Sequence, residues 1–204
     1  MKAVDHQFQP HDLVAGDVAL DFVNTVTARD TEPTDWLGSY TTLLDWAELT
    51  GAFAKKDLVQ LSALARKEPA KAGTALAKVR ALREALCGVL YAMIEKRGAT
   101  ESDLAAIDTA RLAAARAAKL TYRSARLVQS FAVEESGLDL INHVVTMRAL
   151  EVLKEVELAR LRVCDGHDCG WVFVDSSKNG KRRWCDMATC GNTAKARRYY
   201  DRQR

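Results

Sequence analysis

Four cysteines near the C-terminus, Cys164, Cys169, Cys185 and Cys190, carry the chemistry most easily read from this chain. They form two C-x4-C pairs with fifteen residues between them. Two close pairs of thiolates joined by a compact loop supply the four soft donors that a tetrahedral zinc ion takes. Four sulfurs leave no open position for water, so a Zn2+ ion held there is structural, one per chain, and not catalytic. The same residues would also serve two disulfides. MKAVDHQFQPHDL, at the N-terminus, lacks the apolar core of a secretory signal, however, and a reduced, cytoplasmic setting favours metal over disulfide. His167, inside the first pair, reads as a solvated or supporting residue rather than a ligand. The fifth cysteine, Cys87, lies between Leu86 and Val89 on an apolar stripe and reads as a small core residue.

The residues around the second pair are strongly basic. From Lys178 to Arg204, nine Lys and Arg stand against two Asp, a net of +7, which leaves −4 on the preceding 177 residues of a chain whose formal net charge is +3. Such asymmetry points to a polyanion as partner of the tail. A helix is expected from about Thr193 to Arg202, with Thr193 as its N-cap. It would put Lys195, Arg198 and Arg202 on one face with Arg197 beside them, while Lys181, Arg182 and Arg183 precede Cys185. These seven are the expected nucleic-acid contacts. The density of charge on so small a module speaks for that use over a merely solvated face.

Other elements must position these groups. The stretch 161–204 is too short to bury a core unaided, and modules of that size need a metal or a disulfide. GWVFVDSSKNGKRRW alternates apolar and polar residues and then meets Asn179-Gly180, a hairpin signal. The expected order is a knuckle, a hairpin, and a helix starting at the second cysteine pair. Upstream, residues 1–160 read as a helix-rich domain. SYTTLLDWAELT lies between Gly38 and Gly51; DLVQLSALARK follows with Asp57 as N-cap; a long stripe runs from Ala70 to Arg97 and is closed by Gly98. Thr100-Glu-Ser-Asp103 opens an alanine-rich helix to Ala118 in the manner of a capping box. KLTYRSARLVQSFAV (119–133) switches to a β-hairpin with Ser-Ala at its middle, and a helix resumes from Gly137 to about Leu161. DVALDFVNTV (17–26) fits a strand or a short buried helix. The fold class is α+β, mainly α.

The helical body carries no cofactor fingerprint, no open metal site and no visible nucleophile with its base, so an enzyme is the least favoured class. Asp21 and Asn24 are polar residues among apolar ones. They read as partners of buried backbone, and alternatively as lining a small-molecule pocket that would make the body a sensor. No stretch is long and apolar enough to cross a bilayer, and a membrane partner is not expected.

RVCDGHDCGWVFVDSSKNGKRRWCDMATCGNTAKARRYY closely resembles the CGNR zinc finger, a treble-clef-like module of bacterial proteins, and LVAGDVALDFVNTV resembles the start of the ABATE domain that precedes it in that family. The resemblance implies a stress-induced transcription regulator with a zinc-bound, DNA-binding finger, and it places the family's four ligands on Cys164, Cys169, Cys185 and Cys190. Thr193 stands where the family's name motif has arginine, so any phosphate contact or brace from that side chain is missing here. The implied partners are DNA, a small-molecule effector of the body, and a second copy or another DNA-binding protein, because one finger with so few contacts binds weakly. The competing function is a protein-interaction module without specific DNA binding.

Overall fold

A computed structural model describes residues 1–201 of the chain, with Arg123 described through its backbone alone. The N-terminal segment forms strand β1 (Lys2–Ala3), helix α1 (Val18–Val23), strand β2 (Val26–Thr27) and strand β3 (Thr34–Asp35). β3 is the middle strand of a small sheet, parallel to β1 and antiparallel to β2. The run that fits strand or helix by pattern is the helix α1. Asp17 caps it by accepting from the backbone N–H of Ala19 at 2.9 Å, and Ala19, Leu20, Phe22 and Val23 are all buried.

Capping chemistry sets most helix boundaries. In α2 (Tyr40–Thr50) the Ser39 hydroxyl accepts from Thr42 N at 3.2 Å, and Gly51 ends the helix at φ 66°. α3 (Lys55–Lys67) begins before the expected cap: Asp57 sits in its first turn, where a carboxylate favours the positive end of the helix dipole. α4 (Pro69–Glu95) opens on proline, and Lys96, at φ 55°, closes it ahead of Gly98. Thr100 starts α5 (Glu101–Ala117), accepting from Asp103 N at 3.1 Å and donating to Asp103 Oδ2 at 2.7 Å. Strands β4 (Lys119–Arg123) and β5 (Arg126–Ser130) form the expected hairpin, with Ser124 and Ala125 both left-handed at φ 48° and 61°. The short α6 (Val133–Ser136) leads to α7 (Leu140–Glu155). α7 stops short of Leu161, which instead begins β6 (Leu161–Val163), paired antiparallel with β7 (Val172–Val174); α8 (Asn192–Asp201) ends the described chain.

Phe22, Trp46, Leu86 and Ile141 of the helical body share one continuous apolar cluster with Leu161, Trp171, Val172 and Phe173. The stretch after α7 therefore does not form a core of its own; its strands complete that of the helices. A buried ion pair ties the small sheet to α4. Arg83, fully buried, grips the Asp35 carboxylate with two bonds of 2.6 and 2.8 Å, and its Nη1 also donates to Thr25 Oγ1 at 3.1 Å. Among the described residues, no helix is long and apolar enough to cross a membrane.

Candidate metal centre and basic surface

β6 and β7 flank the first cysteine pair, so the knuckle is itself the tip of the hairpin. This corrects the expected order, in which a separate hairpin turns at Asn179-Gly180. That dipeptide does turn, with Gly180 at φ 59° and its N–H donating to Ser177 O at 3.2 Å. The residues after it do not return as a strand. Asp175 holds both sides of the turn, accepting from Ser177 N before it at 2.9 Å and from Arg182 N after it at 2.8 Å. Hydrogen bonds from the Ser177 side chain first, then from the backbone of Arg182 and Ser177, hold the Asp175 carboxyl down to about 2. The chain is thereby steered across the knuckle: Asp165 N donates to Arg183 O at 2.8 Å, and Cys185 N reaches Cys164 Sγ at 3.2 Å.

The four sulfurs lie within 4.8 Å of one another. Cys169 Sγ is 3.8 Å from Cys185 Sγ, which is 3.7 Å from Cys190 Sγ. Zinc–sulfur bonds of about 2.3 Å in a tetrahedron place sulfurs about 3.8 Å apart, whereas a disulfide needs about 2.05 Å. The donor set thus has the spacing of a metal tetrathiolate, and all four cysteines are free thiols. The surroundings are shaped for it. Gly166 N donates to Cys164 Sγ at 3.3 Å, and a Cβ on Gly166 would stand 2.8 Å from Cys190 Sγ and 3.2 Å from Cys164 Sγ. His167 pairs with Asp168 at the surface and stays outside the cluster.

Asp186, not Thr193, caps the C-terminal helical segment. Its carboxylate accepts from Thr189 N at 2.9 Å and Thr189 Oγ1 at 3.1 Å, and a wide π-type turn, Met187–Gly191, carries Cys190 toward the other sulfurs before α8 begins. Thr193 is already inside the helix, its hydroxyl donating to Thr189 O at 3.1 Å. The helix starts early because Cys190 must face the cluster from its first turns.

The expected nucleic-acid contacts divide into groups. Lys181, Lys195, Arg197 and Arg198 are exposed and, among the described residues, engaged in no ion pair. Arg183 is exposed and pairs with Asp165 at 2.7 Å. It and Arg198 flank the Trp184 ring at 5.5 and 5.9 Å. Arg182 turns inward: it donates to Trp184 O at 2.9 Å and to Cys185 O, with its guanidinium 4.6 Å over the Phe173 ring. It braces the metal loop. Arg202 lies outside the described residues.

Asp21 and Asn24 are both buried and bonded to backbone. Asn24 Nδ2 donates to Val172 O and its Oδ1 accepts from Val172 N, each at 2.9 Å, so one amide clamps β7 onto the helical body. Asp21 accepts from Ala15 N at 2.9 Å, and burial pushes its carboxyl up to about 7. Ala15 in turn accepts from Val174 N at 2.9 Å. Further ties are Trp171 Nε1 to Val26 O at 3.1 Å and Tyr91 Oη to Gly170 O at 2.5 Å. The sequence marks Asn24 only as a polar residue in an apolar run; its partner, 148 residues away, leaves no local signal.

Two family models cover most of the chain. One, ABATE, described as "putative stress-induced transcription regulator", matches residues 16–158. The other, the CGNR zinc finger, matches residues 160–203. No curated protein matches the chain.

Proposed function

This chain belongs to the ABATE family, with a CGNR zinc finger at its C-terminal end, and on that premise we propose that it is a zinc-dependent DNA-binding transcription regulator of the cytoplasm. Cys164, Cys169, Cys185 and Cys190 hold one Zn2+, which supplies a structural cross-link and, with four thiolates, no activated water. The observation that carries the reading is the arrangement of charge around that cluster. Cys190 leads directly into α8, so the site that fixes the four sulfurs also fixes Lys195, Arg197 and Arg198, which are exposed and free of ion pairs among the described residues. Arg183 and Lys181 extend this surface. Thr193 makes no phosphate contact in this reading, its hydroxyl being held by the helix backbone. The protein acts by binding, not as an enzyme. Its helical body is the part that responds to a ligand or partner, and a second copy or another DNA-binding protein supplies the affinity that one finger lacks.

The test is a salt titration of duplex DNA binding by the zinc-loaded chain. About four phosphate contacts give a slope of log K against log salt of about −3.6. Arg197→Ala and Arg198→Ala are each expected to reduce that slope by about 0.9. Arg182→Ala, which loses a brace and no phosphate contact, is expected to lower thermal stability and leave the slope unchanged. A wild-type slope near zero replaces this reading with that of a protein-interaction module.

A further inference from the structure

Three large apolar side chains of the β4–β5 hairpin stand largely in solvent: Leu120 is 68% exposed, Tyr122 74% and Leu127 73%. The register brings them together. Side chains alternate between the two faces of a strand, and cross-strand partners share a face. Tyr122 pairs with Leu127 and Leu120 with Gln129, so Leu120, Tyr122 and Leu127 make one apolar face with Gln129 at its corner. Thr121 and Val128, partners of each other, lie on the other face and are less exposed. Lys119, also on that second face, pairs with Glu135. The second face is therefore turned toward the helices and the apolar one outward. Among the described residues, β4 and β5 have no third strand beside them. A lone two-stranded hairpin is marginal in water, and stable ones gain further strands or a layer packed on the apolar face.

A single exposed leucine needs no partner, but three large apolar groups gathered on one outward face form a contact patch. Charge decides what covers it. β4 and β5 contain no Asp or Glu, and Lys119 and Arg126 belong to the opposite face. The apolar face therefore offers no charge to a polyanion, an anionic lipid surface or an acidic peptide. Its complement is a neutral apolar face, and a second copy of this chain carries one. Two hairpins stacked face to face about a two-fold axis set Leu120, Tyr122 and Leu127 against the same residues of the other copy. The cations of both copies then point away from the contact, and no like-charge pair is buried. One Tyr and two Leu per copy fall short of the total of about 1,200–2,000 Å2 that stable interfaces bury, so the dimer is weak and DNA binding by both fingers reinforces it.

We propose that the outward face of the β4–β5 hairpin is the surface through which two copies of this chain pair, each hairpin forming one layer of a two-layer, four-stranded contact. The proposal rests on the reading above, in which a second copy supplies affinity that one finger lacks, and it names the surface that does so. Pairing raises the effective concentration of the second finger once the first has met DNA, so even a weak contact strengthens binding.

The experiment is sedimentation equilibrium of the full, zinc-loaded chain in reducing buffer without DNA. A monomer–dimer equilibrium is expected, with a Kd on the order of 10–100 µM, as suits a small interface. Tyr122→Ser and Leu127→Ser should each weaken it by about tenfold or more. Both side chains are exposed in the single chain, so circular dichroism of the variants below the Kd should match the wild type. Val59→Ser removes a lone exposed apolar side chain on α3, 69% exposed, and should leave the Kd unchanged. A photoreactive benzophenone side chain at position 122 should cross-link two chains, and one at position 128, on the other face, should not. A chain that stays monomeric, a dimer that survives Tyr122→Ser and Leu127→Ser together, or equal cross-linking from both positions overturns the proposal. A monomer that instead sediments with phosphatidylglycerol vesicles gives the face to a lipid surface and overturns it too. No DNA is present, so a failure of DNA binding is a separate result.

Discussion

Replacing Asn24 by leucine keeps the branching at Cγ and the number of side-chain heavy atoms, and it removes both halves of the clamp on Val172. In the native chain one amide donates to Val172 O and accepts from Val172 N, both at 2.9 Å. Asn24 is 1% exposed and Val172 fully buried, so water has no access to repair the loss. Each orphaned buried backbone group costs about 1–3 kcal/mol, and two of them about 2–6 kcal/mol. Against a typical total of about 5–15 kcal/mol, that is a large fraction of the stability. The assay is urea unfolding of the zinc-loaded protein followed in parallel by tryptophan fluorescence and far-ultraviolet circular dichroism. Asn24→Asp sharpens the test. The carboxylate still accepts from Val172 N but sets a second oxygen against Val172 O, so at pH 7 it should destabilise at least as much as leucine. If leucine costs less than about 1 kcal/mol, or if Asn24→Asp matches the wild type, the clamp does not hold the two parts of the chain together.

Two further outcomes follow from the same structure. Reduced, purified protein should contain one zinc per chain by elemental analysis, and chelation should unfold the stretch from β6 to α8 and also lower the melting temperature of the helices, because Leu161, Val172 and Phe173 belong to their core; a helical melt unmoved by chelation refutes the shared core. Asp21, whose carboxyl burial lifts from 3.8 to about 7, holds its proton in the folded state after the unfolded chain has released it. Stability should therefore decline as pH rises from about 4 to about 7, by on the order of 4 kcal/mol, and level off above that. Asp21→Asn should flatten this decline, and a variant with the wild-type pH profile removes Asp21 as its source.

What sequence made legible was local. The cysteine spacing located four sulfurs that the fold brings within 4.8 Å, because ligands in close pairs need only one loop to converge. Gly51 and Thr100 marked helix ends because a cap acts on backbone within three residues of itself. The misjudged details have competing partners at longer range. Asn179-Gly180 makes its turn, but Asp175 takes the Arg182 N–H, which a returning strand would have used. Thr193 has the chemistry of a cap but lies past Cys190, whose thiol must already face the cluster. Arg182 counts as one more positive charge in the sequence, while in the fold its guanidinium lies over Phe173. Asp35 and Arg83, 48 residues apart, carry no mutual signal, yet they form the buried ion pair that holds the sheet to α4.

The shared core changes what regulation requires. A finger on a free tether would sample orientations independently of the helices, and a ligand in the body would have no purchase on it. Here α1 ends at the residue that clamps β7, and strand β2, which follows α1, supplies the carbonyl that holds the Trp171 indole. α7 packs along α1 before the chain enters β6. A ligand that repositions α7 therefore acts on an element in contact with the clamp helix α1 and with α4, which in turn packs on the first strand of the metal hairpin. Coupling through packed helices needs two discrete arrangements of such an element, which ligand binding to the body would bias. Asn24→Leu tests this as well. If the clamp carries the coupling, the variant should still bind a ligand of the body while DNA affinity no longer responds to it. If DNA affinity still responds, the signal runs through α4 and β6 instead.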